Sequence, residues 1–315
     1  MKRKALIFGI KGLSLSKEES KLLRKNKPWG IILFSRNIKN LKQTQKLVGQ
    51  IRRIAKDKKY PILIDQEGGR VSRIGNIANH RLYTQNYFGK LYSKNKPKFK
   101  KQYENYISEV CKILKEIGVN INTVPVLDLI EKKANKIIGD RSYSKDPRVV
   151  SSIGKFLLKL YKKKKIGTVT KHIPGHGSAK HDTHHRISSI KRPKLKLVKR
   201  DFKPFRLCHS HFAMTAHLIY TAYDSLNNAT QSKIIINEVI RKHIGFKGIL
   251  ISDDISMKAL KFGLIKNAIM ALNAGCNLVL HCNGNIKEMK ILVRTLPTID
   301  KFTQKKTSQF YKFLG

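Results

Sequence analysis

The sequence has 315 residues, with 66 lysines and arginines against 20 aspartates and glutamates, which gives a formal net charge of +46 at pH 7. Hydrophobic residues make up 41% of the chain, enough for a large core, so general disorder is excluded. The four cysteines, Cys111, Cys208, Cys276 and Cys282, show no CxxC spacing. They indicate neither a disulfide framework nor a cysteine zinc site, and reduced thiols fit a cytosolic protein.

The N-terminus, Met1 to Lys4, resembles the basic start of a signal peptide. The apolar run that follows, residues 5–10, is too short to span a membrane, and no small-x-small cleavage site comes after it. We therefore expect this run to be the first core strand. A cytoplasmic protein without membrane insertion is predicted.

The excess of basic residues has two interpretations. One is binding to nucleic acid or to an anionic surface. However, the lysines are spread along the whole chain, with clusters at 94–101 and 162–165, and no helix-turn-helix, zinc-finger or RNP-like pattern organises them. Because isoleucine and asparagine are also abundant, we favour drift of an AT-rich coding sequence and predict no specific nucleic-acid partner.

Short β-rich runs recur along the chain and alternate with amphipathic segments. We predict strands at Leu6–Ile10, Gly30–Phe34, Pro61–Asp65, Asn120–Pro125, Gly167–His172, Phe212–His217, Gly248–Ser252 and Leu278–His281. Apolar spacing predicts helices at Leu41–Ile54 and Tyr103–Ile117 and, more weakly, at Ser14–Lys25, whereas residues 74–101 are predicted to form a long loop. Eight strands favour a single α/β domain, a (β/α)8 TIM-type barrel covering residues 1–315, over an open doubly wound sheet.

Polar side chains fall at or just beyond the C-terminal ends of these predicted strands. They are Asp65, Asp128, Lys171, His172, His217, Asp253 and His281. In a β/α barrel this edge is where active sites are built, so we expect the functional site there.

The segment from Lys171 to His184 carries the densest group of titratable side chains. Two glycines, Gly175 and Gly177, free its backbone, which predicts a mobile catalytic loop at about residues 173–186. Asp182 is two residues from His184, so its carboxylate could fix the imidazole tautomer and raise the basicity of the ring. Such a dyad could protonate a leaving-group oxygen and then activate water.

The same segment has an alternative interpretation as a zinc site. Histidine-rich tracts can bind zinc, and this one contains His172, His176, His181, His184 and His185 together with Asp182. There is no HExxH-like helical spacing, and the glycines disfavour a rigid cage. We therefore predict no metal.

Asp253 ends the apolar run Gly248–Ser252 and is followed by Asp254. Its spacing fits a nucleophile that attacks an anomeric carbon and forms a covalent glycosyl-enzyme. It fits equally well the N-cap of a helix opening near Met257. The residues around Asp253 leave both interpretations open.

Two glycine-containing turns offer arginines to the same edge. The turn from Asp65 to Arg73 has a carboxylate at the strand tip, two glycines and then arginines, which suits a clamp for sugar hydroxyls and an acidic group. The turn at residues 139–143 offers Arg141 similarly. Each turn could also be a plain strand exit with surface arginines.

Eight segments in this order resemble glycoside hydrolase family 3, in particular its single-domain bacterial β-N-acetylhexosaminidases. They are GIILFSRNIKN (30–40), LIDQEGGRVSR (63–73), PVLDL (125–129), IIGDRSYSKDP (137–147), KHIPGHGSAKHDTH (171–184), MTAH (214–217), GFKGILISDDISM (245–257) and ALNAGCNLVL (271–280). The loop motif ending in DTH is the most specific of these.

The resemblance implies a β/α barrel and assigns roles that spacing left open. It matches Asp253 to the nucleophile, His184 to the general acid/base on the loop, and Asp182 to its orienting partner. The positions matched to binding of the N-acetylglucosamine unit are Asp65, Arg73, Arg141, Lys171 and His172. No metal or organic cofactor is implied. The departures, Asn277 in place of a common aspartate and a divergent stretch at His80–Leu91, affect substrate contacts more than the chemistry.

We therefore expect a retaining exo-β-N-acetylglucosaminidase that acts as a cytoplasmic monomer. The family's substrate class implies anionic muropeptide fragments, with an N-acetylglucosamine-anhydro-N-acetylmuramic acid core, cleaved in peptidoglycan recycling. Two other hypotheses remain. A basic nucleic-acid-binding protein on an inactive barrel would bind with a steep salt dependence, and a β-glucosidase of the same family would prefer glucosides.

Overall fold

The computed structural model describes residues 2–131, 138–177, 188–258 and 260–315. Within these residues, eight parallel strands form a closed barrel: β1 (Lys4–Gly9), β2 (Pro28–Leu33), β3 (Ile62–Ile64), β4 (Ile121–Asn122), β5 (Gly167–Ile173), β7 (Phe212–Thr215), β9 (Ile249–Asp254) and β10 (Leu278–His281). The remaining strands, β6 (Ser188–Ile190) and β8 (Leu218–Tyr220), pair in a small parallel sheet. Closure comes from β1, which pairs with β10 on one side and β2 on the other.

Helices connect the strands. They are α1 (Lys17–Asn26), α2 (Leu41–Ala55), α3 (Gln85–Lys94), α4 (Lys96–Glu116), α5 (Pro147–Lys163), α6 (Lys194–Lys196), α7 (Lys203–Leu207), α8 (Leu264–Ala274), α9 (Ile286–Thr295) and α10 (Lys301–Leu314), with 3-10 turns at Ser35–Asn37 and Gly139–Arg141 and π-helical turns at Leu197–Asp201 and Ile235–His243. Local signals explain their ends. Ser16 and Glu19 form a capping box at the start of α1, and Lys56 ends α2 in a left-handed conformation.

The predicted (β/α)8 barrel is confirmed, and each predicted strand overlaps a barrel strand. The prediction of a long loop at residues 74–101 is wrong, because α3 and the start of α4 occupy much of it. Thr84 and Asn95 cap these helices, and Phe88 and Phe99 are buried on their inner faces. Frequent lysines between the apolar positions conceal this helical pattern. The alternative that Asp253 caps a helix opening near Met257 is also wrong, since α8 begins at Leu264.

The barrel strands alternate between two buried layers. On β9, for example, Ile249 and Ile251 join the cluster that fills the barrel, whereas Leu250 joins the cluster beneath the outer helices. Residues two positions apart on a strand point the same way. On each strand, the alternate residues that point into the barrel form an inward series, and the next residue of that series points into the C-terminal mouth.

The opposite end of the barrel is closed by α10. Phe310 packs edge-on against Phe212 with 5.0 Å between ring centroids, and Trp29 Nε1 donates to Thr307 Oγ1 at 2.8 Å. α10 therefore covers the end of the barrel that lies opposite the C-terminal mouth. In the described part of the chain, no helix has the length and apolarity needed to cross a membrane.

Candidate active site

The inward series of the barrel strands determine which side chains meet at the mouth. Leu63 leads to Asp65, Ile121 to Thr123, Val169 to Lys171, and Ile251 to Asp253, and the first member of each pair belongs to the interior cluster. Four strands thus bring two carboxylates, a hydroxyl and an ammonium group to one end of the barrel. Asp65, Lys171 and Asp253, three of the predicted polar strand tips, therefore lie at the same end of the barrel.

Lys171 is the centre of a buried ion-pair cluster. Its Nζ lies 2.9 Å from Asp65 Oδ1 and 2.7 Å from Glu67 Oε1, and it donates to Thr123 Oγ1 at 2.8 Å. The Lys171 side chain is 3% exposed and that of Glu67 is fully buried. Since a buried ammonium needs charged partners, the two carboxylates hold Lys171 in one position.

Two arginines extend this cluster. Arg141 donates from Nε and Nη2 to the two oxygens of Glu67, both at 2.8 Å, in a bidentate pair. Arg73 Nη2 lies 3.6 Å from Asp65 Oδ2. The cluster therefore brings together four of the five predicted sugar-binding residues, Asp65, Arg73, Arg141 and Lys171, and adds Glu67.

The mutual pairing sets the protonation of these groups. Burial alone would raise the pKa of Glu67, but Arg141 and Lys171 outweigh it and lower that pKa to about 2. The pKa of Asp65 is likewise lowered: burial would raise it, but Lys171 and Arg73 outweigh this effect. Burial would lower the pKa of Lys171, and the two carboxylates raise it instead. At neutral pH the cluster consists of fully charged groups in fixed positions.

His172, the fifth predicted sugar-binding residue, is held by Asp128. His172 Nδ1 lies 2.7 Å from Asp128 Oδ2, and the amide of His176 donates to Asp128 Oδ1 at 2.6 Å. Burial would raise the pKa of Asp128, but His172 and His176 lower it, so the carboxylate is ionised and His172 donates from Nδ1. Burial and the neighbouring His172 lower the pKa of His176 to about 4, so this ring is neutral at pH 7.

Asp253 lies half-buried at the mouth, at the end of β9. Burial would raise the pKa of its carboxyl group, but nearby His172 and His217 outweigh this and lower it. The backbone amide of Asp254 donates to Asp253 Oδ1 at 2.8 Å. Asp253 is therefore an ionised carboxylate with one oxygen fixed, a suitable state for a nucleophile.

Asp182 and His184, the predicted acid/base dyad, lie outside the described residues, as do His181 and His185 of the alternative zinc site. The described chain stops at Gly177, one residue after His176, and resumes at Ser188 in β6. Within the described ranges, no group of three or more histidine, cysteine, aspartate or glutamate side chains could hold a metal ion.

The sequence did not indicate two residues of the site and placed another residue too close to it. Glu67 and Asp254 were not predicted as site residues, although Glu67 stands beside a glycine pair directly after a strand tip. Asp128 was predicted as a polar strand tip, but without a role. His281, predicted among the polar strand tips, instead faces outward and pairs with Glu288 of α9 at 2.7 Å.

Charged groups gathered at the C-terminal mouth of a closed β/α barrel occupy the position where enzymes of this fold have their active sites. Comparison with known proteins identifies the family. The chain matches the glycosyl hydrolase family 3 N terminal domain over residues 5–308. It therefore belongs to glycosyl hydrolase family 3.

Individual relatives indicate the type of glycoside hydrolase within this family. A beta-hexosaminidase of Nitrosomonas eutropha is 34% identical over 286 residues, covering 88% of this chain and 80% of that protein. One from Bordetella parapertussis is 32% identical over 285 residues, covering 88% and 79%. The crystal structure of Neisseria gonorrhoeae NagZ with N-trifluoroacetyl-D-glucosamine has a TM-score of 0.87 at 28% identity, covering 100% of this chain and 90% of that one. The predicted enzyme class, a glycoside hydrolase of the β-N-acetylhexosaminidase type, is confirmed.

Proposed function

We propose that this protein is a retaining exo-β-N-acetylglucosaminidase that removes terminal N-acetylglucosamine from anhydromuropeptide fragments during peptidoglycan recycling. The observation that carries this proposal is the ionised Asp253 carboxylate at the barrel mouth, near the cluster of charged groups around Lys171. The Neisseria gonorrhoeae relative was crystallised with an N-acylated glucosamine, which supports the same sugar here. We infer that the enzyme acts in the cytoplasm as a monomer and needs no metal or organic cofactor.

In the proposed first step, an Asp253 oxygen attacks the anomeric carbon and forms a C–O bond as the glycosidic bond breaks. His184 gives its proton to the departing oxygen. In the second step, His184 takes a proton from water, and the water oxygen bonds to the same carbon as the bond to the Asp253 oxygen breaks, which releases N-acetylglucosamine with its configuration retained and frees the Asp253 carboxylate. Asp182 orients the imidazole of His184 through its carboxylate. The support for the His184 role is the sequence motif.

The charged cluster supports a division of labour in sugar binding. Lys171 and Arg141 are fixed by Glu67, so they would present donors to sugar oxygens with little loss of side-chain entropy. Asp65 is 16% exposed and would accept hydrogen bonds from hydroxyl groups. We infer that Arg73, beside Asp65, and His172, on the other flank of Lys171, complete the contacts to the sugar ring.

The excess positive charge fits an anionic substrate. Muropeptide fragments carry carboxylates, and a net charge of +46 would raise their concentration near the protein through long-range attraction. The neutral sugar itself would gain nothing from this field. Comparison of an anhydromuropeptide with a neutral aryl glycoside at several salt concentrations therefore separates the contribution of the aglycone from that of the sugar.

The test is release of 4-nitrophenol from its N-acetyl-β-glucosaminide, with a chelator present. We expect turnover by the wild type and almost none by Asp253→Asn. Asp300→Asn is the matched control, because Asp300 caps α10 and asparagine caps equally well. Wild-type rates in Asp253→Asn would refute the nucleophile assignment.

Mass spectrometry of products from a purified anhydromuropeptide then tests the substrate. We expect loss of one N-acetylglucosamine per molecule. Cleavage of the aryl glycoside without cleavage of the muropeptide would refute the recycling role but leave the glycosidase assignment intact. Preference for glucosides would favour the β-glucosidase hypothesis. Inactivity on every glycoside, combined with salt-dependent nucleic-acid binding, would favour the inactive barrel.

A further inference from the structure

The two oxygens of the Asp253 carboxylate have different surroundings. Oδ1 accepts the backbone N–H of Asp254 at 2.8 Å, whereas no described residue donates to Oδ2. A carboxylate with one oxygen tied in this way keeps the other available for attack. The orientation of the nucleophile thus depends on the position of the Asp254 peptide group.

The backbone of Asp254 is held in turn by His217. His217 Nε2 lies 3.0 Å from the Asp254 carbonyl oxygen. A carbonyl oxygen can only accept, so Nε2 carries a proton. Burial lowers the pKa of His217, which keeps the ring neutral, and Nδ1 must then be an acceptor. The contacts therefore define a single tautomer.

Two threonines complete this tautomer. The hydroxyl of Thr230 lies 2.7 Å from His217 Nδ1, and that of Thr215 lies 2.8 Å from Thr230. Since Nδ1 accepts, Thr230 donates to it at 2.7 Å, a shorter contact than the 3.3 Å to the Ala216 carbonyl oxygen, and Thr215 then donates to Thr230. The two threonines are fully buried and His217 is 1% exposed, which removes competition from water.

The Asp254 side chain fixes the same turn from the other side. Its Oδ1 accepts from the backbone amides of Ser256 at 3.1 Å and Cys282 at 3.3 Å, and the Ser256 hydroxyl donates to its Oδ2 at 2.8 Å. These contacts tie the end of β9 to the residue after β10. Asp254 is thus anchored through its carbonyl and its side chain, while its N–H faces Asp253.

We propose that His217 is a positioning residue which, through the chain Thr215–Thr230–His217–Asp254, orients the Asp253 carboxylate so that Oδ2 attacks the anomeric carbon. This inference rests on the proposed role of Asp253. In this proposal His217 acts on the nucleophile through the backbone of Asp254. A displacement of the nucleophile by about 1 Å can lower a rate about 100-fold, so the loss of this anchor should be visible in kcat.

The experiment compares His217→Leu with His217→Gln on the 4-nitrophenyl substrate. We expect His217→Leu to lower kcat about 100-fold, as for a displaced nucleophile, with an unchanged dissociation constant for N-acetylglucosamine. His217→Gln keeps a neutral N–H donor for the Asp254 carbonyl and should recover most of the loss. Thr230→Val, which removes the hydroxyl donated to Nδ1, gives a second variant with an intact His217 if the leucine variant does not fold.

The deciding measurement repeats these changes in an Asp253→Ala background supplied with azide. Azide anion attacks the anomeric carbon and forms a C–N bond as the C–O bond to 4-nitrophenolate breaks, so the protein nucleophile is bypassed. If His217 acts only through Asp253, His217→Leu leaves the azide-supported rate unchanged.

Each other outcome is also decisive. An equal loss in both backgrounds, or no loss in either, overturns the positioning role of His217 and leaves Asp253 as the nucleophile. Wild-type turnover by Asp253→Ala without azide would show that Asp253 is not the nucleophile. That result would refute the proposed function, and the two failures are therefore distinguishable.

Discussion

Replacement of Glu67 by glutamine tests whether the charged cluster stabilises the protein. Glu67 is fully buried, binds Arg141 through two hydrogen bonds of 2.8 Å and lies 2.7 Å from Lys171. The variant would leave both cations buried with Asp65 as the remaining carboxylate in contact with Lys171. A pKa lowered from 4.5 to about 2 corresponds to about 3 kcal/mol at neutral pH. Removal of one partner of a buried pair typically costs about 3–5 kcal/mol.

Urea unfolding at pH 7, followed by circular dichroism, measures this loss. We expect Glu67→Gln to lower the free energy of unfolding by about 3 kcal/mol without a change in the dependence on urea. Glu238→Gln is the control, because Glu238 pairs with Lys242 at 2.9 Å on an exposed helix face. There we expect no measurable change. Equal stabilities of wild type and Glu67→Gln would refute the reasoning.

The difference in unfolding free energy between wild type and Glu67→Gln should depend on pH in one direction. The folded pKa of Glu67 is below its ordinary value, so its contribution is fully present above about pH 4.5. It is lost as the pH falls through about 2. The gap between wild type and Glu67→Gln should therefore stay constant from pH 7 to pH 5 and narrow below. A gap that closes by pH 6 would contradict this assignment.

Three further predictions concern the loop, the site and the packing. His184→Ala should lower kcat about 10²–10⁴-fold on substrates with poor leaving groups, and much less on aryl glycosides, which need little acid assistance. His176 should stay neutral down to about pH 4, so its NMR resonance, assigned with His176→Gln, should not shift between pH 8 and 5. Gly89→Ala should unfold at lower urea than wild type, because its Cβ would lie 1.6 Å from the Tyr143 carbonyl oxygen. At Gly49, within α2, an added Cβ would meet no atom within 4 Å beyond its chain neighbours and its own helix backbone, so Gly49→Ala should raise the free energy of unfolding by about 0.5–1 kcal/mol.

Each of these has a contradicting result. Equal losses on both kinds of leaving group would exclude His184 as the acid. A His176 resonance that titrates near pH 6.5, the ordinary value, would show that the ring is solvated. Equal unfolding midpoints for Gly89→Ala and Gly49→Ala would show that α3 can move away from Tyr143.

The barrel could be predicted because parallel strands buried on both faces leave short apolar runs in the sequence. The ends of the strands were predicted less accurately. Residues Asn120–Pro125 were predicted as one strand, but β4 covers only Ile121–Asn122. The prediction of a loop at residues 74–101 failed for another reason. Its apolar positions are separated by lysines, so the helices depend on tertiary packing of Phe88 and Phe99 more than on local pattern.

Three residues of the site could be predicted from the strands that point to them. Asp65, Lys171 and Asp253 end inward series, and the sequence marks them as polar groups after apolar runs. Glu67 was missed because its partner Lys171 lies about a hundred residues away in sequence, a pairing that spacing along one segment cannot reveal. His281 was misplaced by one residue of alternation, since the next residue, Cys282, takes the inward direction.

The pairing of β1 with β10 has a consequence for synthesis in the cell. Leu6 aligns with Val279, so the barrel cannot close until the residues of β10 have left the ribosome. Until then, the outer edge of β1 exposes unpaired backbone groups, which is the usual starting point for aggregation. The dense lysines of the emerging chain would repel neighbouring nascent chains during that interval. The charge excess would thus protect the chain before it folds, whatever it does for the folded enzyme.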